Sequence, residues 1–138
     1  MKRYKLLIID GQGGKIGKLL LERLLEFYPS DLITVVGTQS MATVNMLKSG
    51  KVIGATGENA VKFNSKQADI IIGAIGIVIP NALHGEISPD MAIAIGESSA
   101  QKYLLPISNC GNNIVGTKEK SISTLIIEAC DEIKKYIS

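Results

Sequence analysis

The segment Gly11-Gln12-Gly13-Gly14-Lys15-Ile16-Gly17 has the residue types and spacing closest to a recognisable chemistry. A turn this rich in glycine can take positive φ without strain, and a phosphate can approach backbone N–H groups at a helix start only where no Cβ intrudes. Gly11, Gly13 and Gly14 are therefore expected to hold phosphate, and Lys15 adds a point charge at the same helix mouth. Gly17 falls inside the expected helix, where glycine costs about 1 kcal/mol relative to alanine; its expected use is close packing of helix on strand. The spacing G-x-G-G-x-x-G departs from the strict G-x-G-x-x-G of dinucleotide-binding turns. The same glycines also fit a turn that is purely architectural.

Further along, an acidic residue about 20 positions past such a turn usually meets the adenine ribose of a nicotinamide cofactor. Here the chain has Gly37-Thr38-Gln39-Ser40, with no carboxylate for NAD and no arginine for the extra phosphate of NADP. Thr38 and Ser40 are the hydroxyls expected at a ribose or phosphate, and as ordinary loop residues they would serve equally. Gly54-Ala55-Thr56-Gly57-Glu58-Asn59 is read as the next strand-to-helix connection, with Asn59 on the rim of the crevice. Gly76, in Gly73-Ala74-Ile75-Gly76, would let a ligand lie against the backbone, and Asn109, in Ser108-Asn109-Cys110-Gly111, completes the expected lining. His84 is the only histidine and the candidate for proton transfer, with Glu86 near enough in sequence to orient it. A lone histidine beside a helix start serves as readily on the surface or as a cap. Cys110 has nothing nearby in sequence to lower its pKa, and two cysteines without a C-x-x-C pair, plus one histidine, make no zinc ligand set.

Positioning these residues requires strands and helices in alternation. Residues 4–9 read as a buried strand and residues 15–27 as an amphipathic helix ended by Pro29; residues 32–36 form a second strand and residues 43–47 a second helix. Residues 51–53 and 61–63 are short strand candidates, and residues 70–72 a strand of three isoleucines. The apolar run 75–79 alternates with glycine and needs cover, for which a symmetric partner subunit is a common source. Ser88-Pro89-Asp90 announces a helix to about residue 99, with Ser88 as its cap. Residues 102–107 and 113–115 read as strands and residues 123–137 as a closing amphipathic helix. The pattern predicts an α/β fold: a three-layer Rossmann-like domain with a mostly parallel sheet of five or six strands.

Composition bounds what such a fold can serve. At 138 residues the chain is expected to be one domain, 1–138, with no room for a separate substrate domain. Hydrophobic residues at 46% and a net charge of +2 exclude disorder, and 15 basic against 13 acidic residues, spread along the chain, give no nucleic-acid footprint. The basic start and the apolar residues 6–9 end at Asp10, too soon for a signal peptide, and the run 70–83 is broken by Gly73, Gly76 and Pro80, short of the roughly 18 residues of a membrane span. No membrane partner is expected, and the setting is taken as reduced and cytoplasmic.

Over nearly its full length the sequence resembles a family of small uncharacterised bacterial proteins, a domain of unknown function with a Rossmann-like fold. The resemblance rests on Ile9-Asp10-Gly11-Gln12-Gly13-Gly14 with Ile16-Gly17, on Gly54 to Ala60, and on Gly76-Ile77 leading through Asn81-Ala82 to Gly85-Glu86-Ile87-Ser88-Pro89. It implies a cytoplasmic nucleotide-binding-type domain and brings no activity or catalytic residue. A second similarity is to the nucleotide half of tubulin-like GTPases, whose loops match Gly11 to Gly17, Thr38 to Ala42, Gly54 to Asn59 and Gly73 to Gly76 in order; their glycine- and threonine-rich phosphate loop is replaced here by Ile75-Gly76-Ile77-Val78. The leading expectation is a homodimeric module or sensor that binds a nucleotide or other phosphorylated ligand through the Gly11 to Gly17 turn. The alternatives are a small NADP-linked oxidoreductase whose site a second subunit completes, and a tubulin-like or purely structural interaction domain.

Overall fold

The computed structural model describes residues 3–107 and 111–138. Its centre is a sheet of five parallel strands, in the order β3-β2-β1-β4-β5. The strands are β1 (Leu6–Asp10), β2 (Ile33–Gly37), β3 (Ile53–Thr56), β4 (Ile70–Ala74) and β5 (Gln101–Leu105). The helices are α1 (Lys15–Leu24), α2 (Ser40–Leu47), α3 (Glu58–Gln67), α4 (Pro89–Glu97) and α5 (Ile122–Ile137). Among them no helix is long and apolar enough to cross a membrane.

The unbroken apolar run of β1 follows from burial on both faces. Leu6 and Ile8 face one core with Leu20, Leu24, Met46, Ile126 and Ile133. Leu7 and Ile9 face the other with Ile71, Val61, Ile87, Met91 and Ile95. Helices α1, α2 and α5 thus cover one face and α3 and α4 the other, giving the three layers expected. The chain steps from β1 outward to β3, and then α3 carries it across to β4 on the far side of β1. Strand order therefore reverses between β1 and β4, the crevice where open α/β sheets bind ligands.

Several expectations shift. Residues 61–63 belong to α3, not to a strand: Val61 is fully buried while Phe63 is 57% exposed. A strand would put both on one face, whereas a helix turns them apart. The connection read at residues 54–59 shrinks to Gly57, because Gly54 to Thr56 lie in β3 and Glu58 and Asn59 open α3. Residues 113–115 form no strand; Thr117 Oγ1 donates to the Ile114 carbonyl at 2.8 Å and turns the chain there. Helix α1 stops at Leu24, and the N–H groups of Glu26 and Phe27 reach back only three residues, to Arg23 and Leu24. Within the apolar run 75–79, residues Ile75–Val78 form a 3₁₀ turn whose Ile77 is buried in the second core, while Ile75, Val78 and Ile79 are half-buried.

Candidate functional site

The glycine turn stands at the carboxyl end of β1, beside the reversal. Gly14 is left-handed, at φ 69°, and a Cβ there would lie 2.5 Å from the Ala42 carbonyl oxygen. Its N–H donates to the Gly11 carbonyl at 2.9 Å, closing the turn. Helix α2 and its capping residue Gln39 hold the turn from the side: Gln39 Nε2 donates to the Gln12 carbonyl, and Asn45 Nδ2 to that of Gly13 at 2.6 Å. Gly17 is buried where a Cβ would strike the Met46 thioether and come within 3.0 Å of Asp10 Cβ, so it packs α1 against the end of β1 and against α2.

Asp10 is the chain's answer to the bare N-terminus of α1. Its carboxylate accepts from Gly11 N–H at 2.8 Å and from Gly17 N–H at 2.7 Å, a side-chain cap delivered from the preceding strand. Only 8% exposed, it has a pKa raised above 3.8, chiefly by desolvation and further by the charge of Glu86, against the lowering effect of the backbone N–H groups.

Glu86 joins two loops that are far apart in sequence. Its Oε1 accepts from the Gln12 N–H at 2.7 Å and from the Thr38 hydroxyl at 2.7 Å. Thr38 is brought there because Asp10 and Gly37 are partners across β1 and β2, and the Thr38 N–H donates to the Asp10 carbonyl at 2.9 Å. A Cβ on Gly11 would come within 2.8 Å of both Glu86 Oε1 and Thr38 Oγ1 and 2.7 Å of Leu83. Glycine at position 11 thus makes room for the Glu86 carboxylate.

The expected site residues consequently divide. Gly13 and Lys15 remain exposed on the turn, and a Cβ on Gly13 would meet nothing within 4 Å. Gly11 and Gly14 are buried, and their N–H groups donate within the chain, to Asp10 Oδ1 and to the Gly11 carbonyl. Thr38 reaches the site; Ser40, at the start of α2, and Asn59, at the start of α3, are exposed and make no side-chain hydrogen bond among the described residues. Gly76 is half-buried with Ala82 packed over it at 3.6 Å from a would-be Cβ. Asn109 and Cys110 lie outside the described residues. His84 is exposed, in left-handed backbone at φ 56°, and Glu86 turns to Gln12 and Thr38 instead of orienting it.

A family model described as Domain of unknown function (DUF3842) matches residues 5–138. The chain belongs to that family. No curated protein and no solved structure matches it.

In this DUF3842 chain, sequence reading missed Asp10 and the true position of Glu86. An acid that closes a buried strand directly before a glycine turn was a usable signal for Asp10, because the N–H groups of the turn and of the first helical turn lie within its reach. Glu86 left no such trace. It comes from the connection between β4 and α4, and only the adjacency of β4 to β1 carries that connection over the turn. Three non-glycine residues there, Asn81, Leu83 and His84, have positive φ, between 56° and 64°. The hydrogen bonds Asn81 N–H to the Ile87 carbonyl (2.7 Å) and Ile87 N–H to that of Ala82 (3.1 Å) hold the loop, with Ile87 fully buried as its anchor.

Proposed function

We propose that the crevice beside the glycine turn binds a nucleotide or another phosphorylated ligand, and that the protein acts as a binding module or sensor. The observation that carries this reading is the position of the turn. It lies at the reversal of strand order, presents exposed Gly13 and Lys15 at the start of α1, and has the Thr38 hydroxyl close by. Binding is favoured over proton-transfer chemistry because Asp10 spends both carboxylate oxygens on backbone N–H groups, and exposed His84 makes no side-chain hydrogen bond among the described residues.

The NADP-linked alternative is less well supported, since a carboxylate beside Thr38 repels a 2′-phosphate. The tubulin-like alternative loses its phosphate loop: a Cβ on Gly73 would lie 2.7 Å from the Ile9 carbonyl, and the following turn buries Ile77. Calorimetric titration with a panel of nucleoside mono-, di- and triphosphates and dinucleotides tests the reading, with at least one ligand expected to bind more tightly than millimolar. The Gly13→Asp variant is expected to fold, because the site is open, and to lose that binding to like-charge repulsion. Undiminished binding in that variant would make the turn architectural.

A further inference from the structure

We infer that Glu86 is the specificity-determining residue of this crevice, a carboxylate that takes the 2′,3′-diol of an unphosphorylated ribose and rejects a 2′-phosphorylated one. This rests on the nucleotide reading above and deepens it. Sequence order denies the chain an acid at the end of β2, where only Thr38, Gln39 and Ser40 follow Gly37. The fold supplies one from elsewhere, since Glu86 Oε1 sits 2.7 Å from Thr38 Oγ1 at that strand end and 2.7 Å from the Gln12 N–H of the glycine turn.

Three features make this a prepared position instead of a chance contact. Gly11 is the residue type that lets the carboxylate approach, as a side chain there would meet Glu86 Oε1 at 2.8 Å. The loop that carries Glu86 holds Asn81, Leu83 and His84 in left-handed backbone, a cost of about 1 kcal/mol or more for each that persists only where surroundings over-determine it. Glu86 uses Oε1 for both bonds, while Oε2 has no hydrogen-bond partner among the described residues and keeps its acceptor capacity. A vicinal diol offers two O–H donors that a carboxylate can accept; a phosphate monoester offers acceptors and negative charge in their place.

The test is isothermal titration of wild-type protein and Glu86→Gln with four probes: NAD, NADP, ADP and 2′-deoxy-ADP. Glutamine keeps a carbonyl oxygen for the Gln12 and Thr38 donors, so the variant is expected to fold. Wild type should bind NAD and ADP roughly ten-fold or more tightly than NADP and 2′-deoxy-ADP, respectively. Glu86→Gln should lose about ten-fold for NAD and narrow the gap to NADP. Should that variant fail to fold, Glu86→Asp, with its carboxylate drawn back by a methylene, is expected to show the same narrowing. If a probe binds but wild type prefers NADP, or the NAD-to-NADP ratio is the same in the variant, the assignment to Glu86 is overturned and the nucleotide reading stands. If none of the four binds wild type more tightly than millimolar, the diol assignment falls; if the wider nucleotide panel is silent too, the reading beneath it falls.

Discussion

At the scale of single residues, the glycines of the turn are not equivalent. Gly14 needs left-handed backbone and has the Ala42 carbonyl where a side chain would go, whereas Gly13 has neither constraint. Gly14→Ala should cost roughly 1–3 kcal/mol from backbone strain alone, and Gly13→Ala should stay within about 0.5 kcal/mol of wild type, as read by urea denaturation. Asp10 gives a pH signature. Burial raises its folded pKa above 3.8, so the protonated form favours the fold: that contribution is full below 3.8 and is lost as pH rises through the folded value. Asp10→Asn keeps one acceptor oxygen for two N–H donors and should cost about 1–3 kcal/mol near neutral pH. Unfolding free energies measured across the acid range should show wild type gaining on the variant as pH falls. A constant difference would mean that Asp10 does not titrate differently in the folded chain.

At the scale of elements, helix starts set the spacing of the loops around the crevice. Ser88 Oγ accepts the Met91 N–H at 3.2 Å and donates to Glu58 Oε1 at 2.6 Å, tying the start of α4 to the start of α3. This cap was legible from Ser88-Pro89-Asp90, because its signals are local. Ser88→Ala should cost about 1 kcal/mol in thermal or chemical unfolding. Ser121→Ala, which removes the cap of α5 at Thr124 N–H, should cost a similar amount. Helix α3 was less legible, since Val61 and Phe63 alternate with Lys62 as a strand would. The crossover from β3 to β4 decides otherwise, because joining parallel strands on opposite sides of β1 takes a long connection that packs on the sheet.

At the scale of the whole molecule, two cores flank one sheet, and what lies inside them is chemically silent. Cys130 is fully buried in the core shared by α1 and α5, and desolvation pushes its thiol up to about 12. In a Cys110→Ser variant, Cys130 should therefore react with a thiol reagent only as the protein unfolds, so that labelling tracks loss of structure across a denaturant series. Fast labelling under native conditions would show that α5 detaches from the sheet. The polar groups that matter are gathered instead at the carboxyl edge, where β1, β2 and β4 bring the loops after them together.

The sequence by itself determined the strand-and-helix alternation, the parallel α/β class, the glycine turn after β1 and the capped start of α4. Those features are written in neighbours a few residues apart, through hydrophobic period, glycine and cap chemistry. Only tertiary structure decided which glycines are enclosed and which are open. Glu86 and Thr38 are separated by 48 positions, and Glu86 and Gln12 by 74, yet one carboxylate oxygen serves both donors. No local pattern encodes that meeting; it follows from the strand order, which sets β4 beside β1 and carries its loop over the turn.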